Sequence, residues 1–207
     1  AAIAAGIPVI SMNSGSDDYA SLGISAHVGQ TEFEAGVGGG QKMKAAGGKK
    51  ALCVNHEVGN VALDRRCAGF KKGFGGSVDI LGTSNDPTEI QKAVAAKLGG
   101  GYDTILTLGA GLSGEAALKA LEAAGKVGNV KLGTFDMSPN MLKAAAAGKV
   151  EFLIDQQQYL QGYLPIAIFA QYMRWGTMPA GVVMTGPGFV TPKNASAVIK
   201  WAAQGYR

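Results

Sequence analysis

Short apolar runs of strand length alternate along this chain with longer stretches of helical pattern, and this alternation most constrains its fold. Repeated strand–helix units with buried apolar strands are typical of parallel sheets covered by helices, so the sequence predicts an α/β fold with doubly wound parallel sheets. The predicted strands are Ile7–Met12, Lys50–Asn55, Val78–Leu81, Thr104–Leu108, Lys131–Phe135, Val150–Ile154 and the extended segment Gly181–Val190. The predicted helices are Thr31–Ala46, Val61–Phe74, Pro87–Leu98, Ser113–Ala124, Pro139–Ala146, Tyr159–Trp175 and Lys193–Ala202.

Several of these helices carry signals for their ends. Asp86 precedes Pro87 and Ser138 precedes Pro139, which predicts a side-chain N-cap followed by proline at the first helical position. Gly125 lies where a C-terminal cap belongs. The apolar and aromatic residues of the segment YLPIAIFAQYMRW recur at helical spacing, which predicts that they belong to the core.

The segment Gly109–Gly114, GAGLSG, has the G-x-G-x-x-G spacing of dinucleotide-binding folds between a predicted strand and a predicted helix. Asp136 even closes the next strand, where such folds carry an acidic residue. A dinucleotide loop normally follows the first strand of its domain, however, and two strand–helix units precede this one. We therefore favour two compatible interpretations: a tight turn that glycine permits, and a loop whose backbone N–H groups face a ligand. An NAD-dependent oxidoreductase remains the least favoured alternative.

The chain has two cysteines, Cys53 in a predicted strand and Cys67 in the following helix. They are either two buried thiols or a disulfide that joins the strand to the helix, which export from the cytoplasm would favour. Two cysteines and two separated histidines are too few for a metal site. No nucleophile with a base at fixed spacing is present, so the sequence predicts neither an enzyme nor a cofactor.

Charge and hydropathy exclude two classes of partner. The net charge is +4, and the lysines are scattered without a long basic run, which is typical of a solvated surface and not of a nucleic-acid interface. No window holds eighteen consecutive apolar residues, so the sequence predicts no membrane-inserted segment.

Polar residues follow most of the predicted strands. In parallel α/β sheets ligands bind at the carboxyl ends of strands, where amides and carboxylates give directed hydrogen bonds to hydroxyl groups. Arg66, two turns into its helix, adds a forked donor that could reach the same edge. The residues that follow the strands directly are Asn13, the run Asn55–Glu57, Asp136 and the run Asp155–Gln158, with Asn60 at the next helix start.

The segments AGIPVISMNS, VGNVALDRRCAGF, LGTFDMSP and FLIDQQQYLQGY occur in an order that resembles the periplasmic sugar-binding proteins of ABC importers, in the ribose- and galactose-binding group. The resemblance covers essentially the whole chain. It implies a two-lobed periplasmic-binding-protein-like fold with the sugar held in a cleft between the lobes. By comparison, about the first ninety residues of a mature member are absent, so the N-terminal lobe is expected to be incomplete.

The resemblance also implies a division of the chain. Residues 1–27 and 156–189 would form the partial N-terminal lobe, and residues 28–155 and 190–207 the C-terminal lobe. The ligand-binding positions carried over from the family are Asn13, Asn60, Arg66, Asp136 and Gln156.

The family usually has Asn-Asp after the fourth strand, where the Asn binds sugar. This chain has Gly109-Ala110-Gly111, so we expect more room there, or a backbone contact at Ala110.

Three of these residues have a competing structural role. Asn60 could cap its helix, and Asp136 could do the same unless Ser138 is the cap. Arg66 could pair with Asp64 or Glu57 on the surface. If these residues bind the ligand, Arg66→Ala and Asp136→Ala are expected to abolish binding without unfolding the protein.

The resemblance predicts a substrate-binding component of an ABC transporter, located in the periplasm or otherwise exported, with a membrane permease as partner and a simple sugar or polyol as ligand. Its mechanism would be hinge closure on the ligand. The sugar-sensing effector domain of a LacI-type transcriptional regulator is the alternative, although this chain shows no helix-turn-helix.

Overall fold

The computed structural model describes residues 1–207. Its helices and strands follow the predicted alternation closely. In chain order they are β1 Ile10–Asn13, β2 Ala26–Gly29, α1 Glu32–Ala45, β3 Lys50–Asn55, α2 Val61–Phe74, β4 Ser77–Gly82, α3 Pro87–Lys97, β5 Thr104–Thr107, α4 Glu115–Ala123, β6 Lys131–Phe135, α5 Pro139–Ala146, β7 Phe152–Asp155, α6 Gln158–Trp175, β8 Gly181–Met184, β9 Gly188–Val190 and α7 Ala195–Ala202.

The chain divides into two compact units. The smaller contains residues 1–31 and 156–188 with Arg207, and the larger contains residues 32–155 and 189–206. The smaller unit extends to Thr31, because β2, which the sequence did not predict as a strand, is part of its sheet. The assignment of these units to the family's two lobes stays a prediction.

The larger unit is built on a six-stranded sheet in the order β4-β3-β5-β6-β7-β9. The pairs that join β4, β3, β5, β6 and β7 are all parallel. Both faces are covered: Leu52 and Val54 belong to one hydrophobic cluster, and their neighbours Ala51 and Cys53 belong to another. Burial on both faces explains why these strands read as continuous apolar runs. The predicted α/β class with parallel sheets is confirmed.

Helices α1 and α2 pack closely because glycines line their contact. A methyl group at Gly36 would overlap the carbonyl oxygen of Arg66, and one at Gly69 would overlap the carbonyl oxygen of Phe33. Close approach of two backbones requires residues without a side chain. The first two turns of α1 are thereby held next to the second and third turns of α2.

A disulfide joins Cys53 of β3 to Cys67 of α2, and both cysteines are fully buried. It closes the segment that connects the end of β3 with α2. The predicted helix caps are also present: Asp86 accepts from the backbone N–H groups of Thr88 and Glu89, and Ser138 accepts from that of Met141.

The smaller unit has a three-stranded parallel sheet in the order β1-β2-β8, with α6 packed against β1 and β2. The expectation that the apolar side chains of α6 form core is wrong for much of the helix. Ile166 and Met173 are 70% and 80% exposed, and only Gln161 and Pro165 are buried. A single helix on a three-stranded sheet buries one face, and helical spacing alone does not tell which face that is. No helix of the chain combines the length and apolar character needed to cross a membrane.

Candidate ligand-binding site

In the larger unit, three neighbouring strands end at one edge of the sheet with polar or glycine residues. β3 ends in Asn55 and is followed by His56, β5 is followed by Gly109 after Leu108, and β6 is followed by Asp136. Because the strands are parallel and adjacent, their carboxyl ends meet at the edge where ligands bind in such sheets. We call this edge, with Asn55, His56, Gly109 and Asp136, the half-site of the larger unit; the binding of a ligand there stays a prediction.

Arg66 is 5% exposed and projects from α2 into this half-site. Its Nε donates to Glu32 Oε2 at 2.5 Å, its Nη2 donates to Glu32 Oε1 at 3.1 Å, and its Nη1 donates to the carbonyl oxygen of Leu108 at 3.0 Å. Its guanidinium carbon lies 4.4 Å from the centre of the Phe135 ring. The guanidinium is thus fixed in orientation by a forked ion pair, a carbonyl and an aromatic ring.

The surface partners considered for Arg66 are not its partners in the structure. Asp64 instead accepts from Asn55 Nδ2 at 2.8 Å, and Glu57 accepts from Asn60 Nδ2 at 3.1 Å. Sequence reasoning missed Glu32, whose only local signal is its place in the first turn of α1, where an acidic residue suits the helix dipole.

Asp136 has the left-handed φ of 64°, and its backbone N–H donates to the carbonyl oxygen of Ile154 in the neighbouring strand. Ser138 caps α5, so the competing cap role of Asp136 does not hold. The half-buried carboxylate therefore lies at the end of β6, beside the end of β5.

Asn60 is the N-cap of α2. Its side-chain oxygen accepts from the backbone N–H of Ala62 at 3.0 Å, while its amide nitrogen donates to Glu57. The side-chain oxygen and nitrogen of Asn60 therefore both form hydrogen bonds, one to the first turn of α2 and one to the loop that follows β3. A ligand contact by Asn60 stays a prediction, and its helix-capping role explains its presence without one.

The glycine loop after β5 forms one turn of π-helix, Ala110–Gly114, before α4 begins. The carbonyl oxygen of Gly109 accepts from the backbone N–H groups of Ser113 and Gly114. Ala110 is 1% exposed, and its methyl group belongs to the hydrophobic core. The predicted contact at Ala110 is therefore limited to its backbone.

The expectation of extra room at this loop holds at Gly111 but not at Gly109. A methyl group at Gly111 would meet nothing within 4 Å, whereas one at Gly109 would lie 3.2 Å from Cε1 of His56. The imidazole of His56 covers Gly109, and its Nδ1 lies 3.3 Å from Ser113 Oγ. Burial lowers the pKa of His56 from its ordinary value of 6.5. The negative charges of Glu57 and Asp136 raise this pKa, and the positive charge of Arg66 lowers it, but burial is the largest effect.

The smaller unit has a polar cluster of its own around a residue that sequence reasoning missed. Gln161 of α6 is 3% exposed; it accepts from Asn13 Nδ2 at 3.1 Å and donates to the backbone carbonyl of Gln156 at 3.2 Å. The same carbonyl accepts from the hydroxyl of Thr185 at 2.8 Å. Asn13, at the exposed end of β1, has a left-handed φ of 67°. Gln161 therefore connects the two predicted residues of this unit.

Residues 1–177 match the sequence profile of the periplasmic binding protein domain. The chain belongs to this family. The resemblance found from sequence is thereby confirmed, and the parallel sheets of both units agree with the family's fold.

Two solved structures are similar over nearly the whole chain. A carbohydrate transporter from Acidothermus cellulolyticus 11B, solved in complex with myo-inositol, is 34% identical to this chain, with a TM-score of 0.91. The match covers 100% of this chain and 73% of the transporter chain. A periplasmic ribose ABC transporter from Conexibacter woesei DSM 14684 is 22% identical to this chain, with a TM-score of 0.85. That match covers 99% of this chain and 71% of the transporter chain. The second likeness shows the fold alone.

Among curated proteins, a xylose/arabinose-binding protein of Sulfolobus acidocaldarius is 24% identical over 212 residues, which cover 93% of this chain and 52% of that protein. The chain thus spans about half the length of this relative.

Proposed function

We propose that this chain is part of the substrate-binding component of an ABC importer and holds a simple sugar or polyol with the strand-end residues of its units. The observation that carries the proposal is the fixed guanidinium of Arg66 at the same strand-end edge as the carboxylate of Asp136. A guanidinium donates and a carboxylate accepts, so together they match hydroxyl groups, which do both.

The surrounding chemistry suits the binding of a hydroxyl-rich ligand. The half-site of the larger unit contains amides, a carboxylate, an arginine and a histidine, all of which form directed hydrogen bonds. The relative that is 34% identical was solved with myo-inositol, and a polyol of that kind suits the same donors and acceptors. No chemical step is needed for such a protein to act.

The proposal includes an extracytoplasmic location and a permease partner. The buried disulfide between Cys53 and Cys67 supports the location, because disulfides persist in oxidising compartments. The family supports the permease, since periplasmic binding proteins deliver their ligands to membrane transporters.

Isothermal titration calorimetry with myo-inositol, D-ribose, D-allose, L-arabinose and D-xylose tests the function. We expect saturable binding of at least one of them. Asp136→Ala removes charge-assisted hydrogen bonds worth about 1.5–3 kcal/mol, which corresponds to about a 10- to 150-fold weaker affinity. Asp18→Ala, an exposed carboxylate of the smaller unit, is the matched control and should bind like the wild type.

Two results would contradict the proposal. One is the absence of binding for every sugar and polyol tested. The other is saturable micromolar binding of NADH, followed by its fluorescence, which would favour the oxidoreductase alternative.

A further inference from the structure

Gly109 is a glycine for reasons of space and not of backbone conformation. Its φ of −165° is extended backbone that any residue adopts. A methyl group there, however, would lie 3.2 Å from Cε1 and 3.5 Å from Nε2 of His56. The imidazole of His56 therefore occupies the space into which a side chain at position 109 would project.

His56 and Arg66 flank the same loop. His56 follows β3 and covers Gly109, while Arg66 donates to the carbonyl oxygen of Leu108, the residue before Gly109. Asp136 follows β6, the strand on the other side of β5. The imidazole thus lies among the groups of the half-site described above.

The contacts of Ser113 favour one tautomer of His56, and the NMR measurement described below tests that tautomer. The single hydroxyl hydrogen of Ser113 is donated to the carbonyl oxygen of Gly109 at 3.0 Å. With the hydroxyl hydrogen donated in this way, the 3.3 Å contact between Ser113 Oγ and His56 Nδ1 is a hydrogen bond in the tautomer that carries its hydrogen on Nδ1. In the neutral ring, Nε2 is left as a hydrogen-bond acceptor.

We propose that His56 is a ligand-binding residue whose Nε2 accepts a hydrogen bond from a ligand hydroxyl, supplying the side-chain group that the loop Gly109–Gly111 lacks. The inference rests on the proposed function and adds a specificity-determining residue to it. Ligands with a hydroxyl donor facing the end of β3 are selected over analogues that lack this hydroxyl.

Two amide substitutions separate the roles of the ring nitrogens. His56→Gln places an amide oxygen at about the reach of Nε2, whereas His56→Asn reaches only as far as Nδ1. For the tightest-binding sugar of the calorimetric panel, we expect His56→Gln to bind within about twofold of the wild type. His56→Asn and His56→Ala should bind at least about fivefold more weakly, as for the loss of one hydrogen bond. Val58→Ala, exposed in the same loop, is the matched control and should leave affinity unchanged.

Equal affinities of the wild type, His56→Asn and His56→Ala would overturn the inference and leave sugar binding intact. If the wild type binds no sugar or polyol, both the proposed function and this inference fail. The two failures are therefore distinguishable in one set of titrations.

Nuclear magnetic resonance measures the protonation of the His56 ring nitrogens directly. The chain has two histidines, so long-range ¹H–¹⁵N correlation spectra contain two imidazole patterns, and His56→Gln identifies that of His56. We expect an unprotonated Nε2 in the free protein at pH 8, with a change in its ¹⁵N shift when the bound sugar is added. A protonated Nε2 in the free protein, or an unchanged shift at saturation, would contradict the proposal.

A comparison of single and double variants tests whether His56 packs over Gly109. Gly109→Ala should lower the urea midpoint of the wild type and leave that of His56→Ala unchanged, because only the imidazole meets the added methyl group. Equal shifts in both backgrounds would show that His56 does not occupy this space.

Discussion

Removing one partner of the buried ion pair between Arg66 and Glu32 should cost far more stability than removing one partner of an exposed pair of similar geometry. The side chains of Arg66 and Glu32 are 6% and 5% exposed, and their closest charged atoms are 2.5 Å apart. Removing one partner of a buried pair leaves the other charge uncompensated and costs about 3–5 kcal/mol. We therefore expect Glu32→Gln, which keeps the size of the side chain and removes its charge, to destabilise the larger unit by about this amount.

The chain offers a matched control in the pair of Lys149 and Glu122. Their charged atoms lie 2.8 Å apart, but the side chains are 45% and 43% exposed. Exposed pairs contribute about 0–1 kcal/mol, so Glu122→Gln should change stability little. The two variants remove the same charge from the same residue type and differ chiefly in burial.

Equilibrium unfolding in urea measures the difference. Trp201 lies in α7 of the larger unit, and replacing the other tryptophan, Trp175, with Phe makes its fluorescence a probe of that unit alone. With a slope of about 2 kcal/mol per molar urea, the expected loss moves the midpoint of Glu32→Gln down by about 1.5–2.5 M. A midpoint shift no larger than that of Glu122→Gln would refute the reasoning.

The same pair changes what is expected of Arg66→Ala. From sequence, this variant was predicted to abolish binding while leaving the fold intact. The structure shows that it would leave the carboxylate of Glu32 buried without its guanidinium, which destabilises by an amount comparable to the whole stability of a marginal domain. A double variant, Glu32→Met with Arg66→Met, removes both charges and should recover much of the loss, while sugar binding stays absent.

Three further predictions follow from the larger unit. Replacing Cys53 and Cys67 with alanine opens a loop with a sequence separation of 14, which should cost about 3 kcal/mol of stability and lower the thermal midpoint. Reducing the disulfide of the wild type with dithiothreitol should have the same effect, whereas dithiothreitol should not change the thermal midpoint of the alanine variant. Gly36→Ala should destabilise by about 1–3 kcal/mol through overlap with the carbonyl of Arg66, whereas Gly111→Ala, which meets nothing, should show little steric cost in the same urea assay. Burial lowers the pKa of His56 from 6.5, against the charges of Glu57 and Asp136 and together with that of Arg66. The unfolded chain then binds this proton more readily, so stability should fall as the pH drops from about 6.5 through the lowered pKa, and His56→Gln should lose this part of the pH dependence.

The elements that sequence predicted well are those with strong local signals. Val61–Phe74 and Pro139–Ala146 agree with the structure at both ends, because N-caps, an adjacent proline or a glycine terminus mark where each begins or stops. β2 was missed because its four residues, AHVG, contain one β-branched side chain and a histidine. His27 is buried there with Ser11 Oγ 2.9 Å from its Nδ1, a contact with a neighbouring strand that local pattern does not reveal.

The candidate site shows the same division between local and long-range information. The position of Asp136 after β6 could be predicted because it directly follows an apolar strand and Ser138, two residues later, is the better cap; its contact with a ligand stays a prediction. Glu32 could not, because its contact with Arg66 spans 34 residues and depends on the glycine-lined packing of α1 against α2. An acidic residue in the first turn of a helix is already explained by the helix dipole, so the sequence does not indicate that Glu32 also pairs with a distant arginine.

The glycine loop after β5 shows why a missing side chain should not be equated with free space. Read along the chain, Gly109-Ala110-Gly111 lacks a hydrogen-bonding side chain and predicts a more open site. In the sheet, β3 lies next to β5, and the residue that follows β3 covers Gly109 with an imidazole. Since the backbone at Gly109 admits any residue, the neighbouring strand end decides what position 109 can be. We therefore expect the specificity of the proposed ligand site to depend on residue pairs on adjacent strands, so that substitutions at position 109 should be interpreted together with the residue at position 56.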